Sequence, residues 1–141
     1  MTVEIDLQDR MHFVAVGEDG VAIHLDSSNE HGGEGNGFRP MELLLAGLGG
    51  CTAMDVLSIL RKKRQKVTGY RVEVSGRQRE EYPRVFTHIA IKHVITGQDV
   101  SDEAVRRAID LSEGKYCPAY AMLKDAAEIT TDFEIRPIAR D

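Results

Sequence analysis

Apolar and polar positions alternate with period two in three short stretches near the N-terminus: "VEIDL" (3–7), "MHFVAV" (11–16) and "VAIHLD" (21–26). The residues are β-rich, and "GEDG" between the second and third reads as a hairpin turn, so a small antiparallel unit is predicted. Residues 27–39, "SSNEHGGEGNGFR", carry four glycines and no apolar period. A loop of that length in a compact domain is often functional.

The pattern changes at Pro40. From there to about Lys66 the apolar residues occupy almost every direction around a helix axis, and proline suits the first turn because its missing donor costs nothing there. A helix apolar all round is expected to be buried on all sides. One 141-residue chain with one sheet cannot surround a helix of that length, so a second subunit is expected, as an obligate homodimer. Gly47, Gly49 and Gly50 each cost about 1 kcal/mol relative to alanine inside a helix, which predicts close packing against the backbone near Cys51.

Alternation resumes in "YRVEVSGRQRE" (70–80) and "RVFTHIAIKHVITG" (84–97), a long hairpin with one wet face turning near Glu81–Pro83. Ser101 is placed to cap a helix over 102–113 that Gly114 ends. Pro118 opens a third helix, 118–129, and 131–138 closes as a strand. The order βββ, long helix, ββ, two helices, β gives an α+β fold in a single domain, 1–141.

Composition narrows the function. Apolar residues make up 42% and charged residues 29%, which favours a folded globular protein over disorder. The formal charge is −5, and the one basic cluster, "RKKRQK" (61–66), lies where basic side chains complement a helix C-terminus. An acidic protein lacks the field that draws polyanions, so nucleic acid is not expected as a partner. Neither a signal nor a transit pattern is visible, and the apolar run is broken by glycines and Asp55, so a cytoplasmic location without a membrane partner is expected. The five histidines have no metal-site spacing and are expected to face solvent on strands; the glycine-rich loop lacks the context of a phosphate loop. No cofactor is expected.

The candidate chemistry lies in two cysteines. "KYCP" puts Cys117 at or beside a helix N-cap, where dipole and free amides favour a thiolate. Cys51 is mid-helix, and Asp55 one turn later works against its ionisation if both share a face. A cation must then offset that charge: Arg39, Arg10 or an arginine of a second subunit. Packing alone requires sulfur at neither position.

"RPMELLLAGLGGCTAMDVLSIL" and "SEGKYCPAYAML", with "REEYPRVFTHIAIKHVITG" between them, resemble the OsmC/Ohr superfamily of thiol peroxidases, especially its YhfA-like branch. The resemblance covers nearly the whole chain. It implies antiparallel sheets wrapped around two long central helices in an intertwined homodimer, with active sites at the interface. It also implies Cys51 as the thiol that attacks an organic hydroperoxide, Cys117 as the one that resolves it in a disulfide, and an external dithiol as reductant. The peroxidase branches carry a glutamate directly after the helix-opening proline; this chain has Met41 there and Glu42 one place later. Nine residues at about 100° each put Glu42 roughly half a turn from Cys51, while the activating arginine corresponds to Arg10 or Arg39. Two other readings stay open: a non-catalytic dimer that binds an apolar small molecule or senses redox state, and a carrier that uses Cys51 as a nucleophile without peroxide.

Overall fold

The computed structural model of the chain describes residues 1–140. Two compact units are distinguished, Met1–Leu44 and the remainder from Leu45.

In the first unit, β1 (Val3–Asp9), β2 (His12–Gly17) and β3 (Ala22–Leu25) form an antiparallel meander, as the alternation predicts. The loop that follows holds one short helical turn at Asn29–His31. Its organiser is the enclosed carboxylate of Asp26, which accepts the amides of Ser27 (2.7 Å), Glu34 (3.2 Å) and Asn36 (3.1 Å). Burial pushes this carboxyl up, but the three amides and the nearby His12 outweigh it and hold it below the usual carboxylate value.

α1 (Pro40–Lys62) begins with proline in its first turn, and the Glu42 carboxylate accepts the Arg39 amide at 2.9 Å, one half of a capping box. It ends four residues before the expected Lys66, because Arg64 takes a positive φ of 57° and Lys66 already pairs with Gln98 in the next sheet. The expectation of burial on all sides is corrected: within one chain a single stripe, Leu48, Gly49, Thr52, Val56 and Leu60, is enclosed. Leu44 and Met54 are left exposed. By length and composition alone, α1, at 23 residues, is long and apolar enough to cross a membrane. Close packing is likewise found at only one of the three glycines. A Cβ on Gly49 would lie 2.7 Å from Val74 Cγ2, whereas Gly47 and Gly50 face open space.

In the second unit β4 (Lys66–Gln78) and β5 (Phe86–Gln98) form the long antiparallel hairpin, with β5 central and β6 (Glu128–Pro137) on its other side, parallel to it. α2 (Asp102–Leu111) is capped by Ser101, whose hydroxyl accepts the Ala104 amide, and buries Ala104, Val105, Ala108 and Ile109. Those residues pack with Val56, Leu60 and Ile95 into the core. Fully enclosing a side chain such as Leu60 contributes about 1.5–3 kcal/mol, enough to outweigh the cost of Gly49 within α1.

Two helix ends differ from expectation. Gly114 does not terminate α2; a π-helical turn, Ser112–Tyr116, carries the chain through it to Cys117. α3 stops at Leu123 rather than 129, because Glu128 and Ile129 already open β6 by pairing with His88 and Ile89 of β5. Ladder bonds to a central strand win those residues from the helix.

The histidine expectation fails at one position. His93 is wholly buried on the inner face of β5, in line with Ile89, Ile91 and Ile95. His12 and His24 stack on each other, with ring nitrogens 2.7 Å apart.

Candidate active site

Both cysteines are free thiols, and the fold brings them into one neighbourhood: the Cys51 side chain on α1 lies near enough to the Cys117 thiol to help raise it. Cys51 is half-buried, while Cys117 is 3% exposed.

Cys117 is the N-cap of α3, as "CP" before a helical run predicts. Its sulfur accepts the Tyr120 amide at 3.3 Å, and its own amide donates to the Ser112 carbonyl at 2.8 Å. The expected thiolate is not what this setting favours. Burial pushes the Cys117 thiol up to about 11; the Tyr120 amide opposes this, and the neighbouring Cys51 and, last, the negative Asp55 add to the rise. A six-residue helix provides too little field to reverse burial beside a carboxylate.

Asp55 stands one turn after Cys51 on α1. Its carboxylate accepts from the Ser112 hydroxyl at 2.9 Å, and Ser112 in turn meets Thr52 at 3.0 Å. Ser112 and Thr52 are wholly buried. Nothing in the sequence spacing gives Ser112 or Thr52 a part in the chemistry. A hydroxyl on each of two facing apolar stripes is the signal that pairs them.

Next to Asp55 a cavity of about 380 Å³ opens between α1 and the end of α2, walled by Ile59, Leu111 and Tyr116 with Lys62 and Lys63 beside them. Glu113 turns away from it to accept the Thr131 hydroxyl, and burial raises its carboxyl despite that bond.

The remaining candidates belong to the first unit. Arg10 pairs with Glu34 at 3.0 Å, and Arg39 donates through Nη1 to the Gly37 carbonyl at 2.9 Å. Glu42 caps α1 through the Arg39 amide, so it meets the backbone of that residue and not its guanidinium. Arg39, Glu42, Phe38 and His24 line an open cleft of about 840 Å³ within that unit.

Comparison with known proteins gives a consistent result. The family model described as OsmC-like protein matches residues 33–132. Protein YhfA of Escherichia coli (strain K12) is 49% identical over 96 residues, covering 68% of this chain and 72% of the relative. A crystal structure of a hypothetical protein from Aquifex aeolicus VF5 aligns with a TM-score of 0.86 at 33% identity, over 98% of this chain and 97% of that one. At 15% identity, an organic hydroperoxide resistance protein, OsmC, from Legionella pneumophila aligns with a TM-score of 0.70 over 95% and 97% of the two chains, which extends the likeness of fold alone.

Proposed function

The chain belongs to the OsmC-like family, and from that premise we propose that it is a thiol-dependent peroxidase that reduces organic hydroperoxides. In this reading Cys51 attacks the distal peroxide oxygen as a thiolate. The O–O bond breaks, the alcohol leaves with a proton, and Cys51 is left as a sulfenic acid. Cys117 then attacks the Cys51 sulfur, expelling water and closing a disulfide that an external dithiol reopens by exchange. Arg10 and Arg39 are the candidates for the cation that such a thiolate needs. No organic cofactor or metal enters the scheme.

The observation that carries the reading is the nearness of the two thiols, half-buried Cys51 close enough to enclosed Cys117 to help raise it. The family match, 33–132, runs across both compact units, which supports treating them as one domain. The exposed apolar residues on α1 support an intertwined homodimer in which a second copy covers that helix; a cytoplasmic location belongs to the same reading.

Anaerobic thiol titration followed by one equivalent of cumene hydroperoxide tests the proposal. Rapid loss of both thiols with a Cys51–Cys117 disulfide is expected, and Cys51→Ser abolishes it. Reaction only at the pace of an ordinary free thiol refutes it. That result favours a second reading, a non-catalytic dimer binding an apolar small molecule or sensing redox state, which draws on Met41 in place of the family acid and on Glu42 being occupied by the helix cap.

A further inference from the structure

Cys51 and Asp55 are four residues apart on α1 and so share a face. The single proton of the Ser112 hydroxyl is committed to the Asp55 carboxylate, so in the Thr52–Ser112 contact Thr52 is the donor. The hydrogen bonds therefore run in one direction, from Thr52 to Ser112 to Asp55. Ser112 also anchors the other thiol, because its carbonyl receives the Cys117 amide. One buried residue thus fixes both the carboxylate and the backbone that carries the resolving sulfur. The second carboxylate oxygen is not used by Ser112, and the side chain borders the cavity of about 380 Å³, which gives it access to solvent protons.

We propose that Asp55 is the base that receives the Cys117 proton as the disulfide closes, with Ser112 and Thr52 positioning its carboxylate. The source of oxidised Cys51 in this proposal is the peroxidase reading. In the step, the Cys117 sulfur attacks the Cys51 sulfur as its proton passes to Asp55. The S–O bond of the sulfenic acid breaks, and the departing hydroxide recovers the proton from Asp55 and leaves as water. Cys117 sulfur is oxidised, Cys51 sulfur is reduced, and Asp55 returns to a carboxylate.

The placement also orders the two chemical events. Burial first, with Cys51 and the Asp55 charge adding to it, opposes a resting thiolate at Cys117, so Cys117 keeps its proton at rest and does not compete for peroxide. The same charge becomes useful only once the Cys51 sulfur is electrophilic and the proton has somewhere to go. The charged groups around it are Lys62 and Lys63 on the cavity side; Glu113 is engaged with Thr131.

Closure can be started without peroxide. The aryl disulfide of thionitrobenzoic acid loads the more exposed Cys51, and attack by Cys117 then releases coloured thionitrobenzoate. Asp55→Asn is expected to slow that release about 100-fold, in the range of a lost general base. Its rate should climb about tenfold per pH unit, as for a thiol that ionises unaided, while the wild type stays level through neutrality. Asp55→Glu should recover part of the rate, and Ser112→Ala should lose an intermediate amount. Release from Asp55→Asn at the wild-type rate with the wild-type pH profile overturns the proposal, and full-rate release from Ser112→Ala removes its positioning part. Wild-type chain given cumene hydroperoxide in parallel reports on the peroxidase reading separately. If no disulfide forms there while thionitrobenzoate release still depends on Asp55, that reading falls and the role of Asp55 stands.

Discussion

The Tyr70 hydroxyl lies 2.6 Å from Nδ1 of His93, on an imidazole completely enclosed by the core face of the second sheet. Burial raises the phenol, so it keeps its proton and donates. Nδ1 accepts, and the ring proton resides on Nε2, which has no hydrogen-bond partner among the described residues.

Burial lowers His93 from 6.5 to about 4. Above 6.5 the ring is neutral folded or unfolded, so nothing is lost. Between 6.5 and about 4 the unfolded chain binds a proton that the folded chain refuses, and stability falls as pH falls. The full span is worth about 3 kcal/mol. Urea unfolding across that window should show the loss, and His93→Gln, which still accepts from Tyr70, should flatten it. Parallel curves for the two proteins would contradict this account.

Gly49→Ala is expected to cost about 1–3 kcal/mol. The new Cβ would meet Val74 Cγ2 at 2.7 Å, and a β-branched side chain on a strand has little freedom to yield. The denaturation midpoint of the variant reports the cost; a gain in stability, the ordinary result of Gly→Ala in a helix, would show that α1 and β4 stand farther apart.

The exposed residues Val3, Ile5 and Leu7 alternate along β1 with Glu4 and Asp6, so β1 presents an exposed apolar row in a single chain. Met54 on α1 is 75% exposed. Sedimentation should find a dimer for the wild type, and Ile5→Asp and Met54→Asp should each shift it toward monomer. A monomeric wild type at micromolar concentration would reject the homodimer.

Asp26→Asn should loosen the loop from 27 to 36. An amide side chain has a single oxygen acceptor and no charge, whereas the carboxylate serves three backbone amides. Hydrogen exchange at Ser27, Glu34 and Asn36 should accelerate, with β4 and β5 unaffected. In the wild type the same loosening should set in only at acidic pH, since a lowered carboxyl contributes above its ordinary value of 3.8 and is lost as pH drops through the folded one. Unchanged exchange in the variant would mean that the loop is held by something else.

His93 shows how a legible pattern was misread. Ile89, Ile91, His93 and Ile95 alternate on one face of β5, so the register that buries the three isoleucines also buries the imidazole. Histidine's average preference for surfaces concealed that. The parallel pairing of β6 was not legible, because a period-two pattern serves either strand direction. The end of α3 shifted for the same reason: a partner strand, absent from any local window, claimed Glu128 and Ile129.

The sequence alone determined the order of elements, the proline that starts α1, the loop before it, and a cysteine at the cap of α3, because each depends on neighbours within a turn or a hairpin. Tertiary structure alone decided that Cys51 and Cys117 share one neighbourhood, that Thr52 and Ser112 pair across 60 residues, and that Cys117 is a raised thiol and not a thiolate. Those outcomes follow from which stripe of α1 faces the end of α2, and from how much water that contact excludes. Hydrophobic spacing fixes the stripes, but the field at a sulfur is summed over everything packed around it.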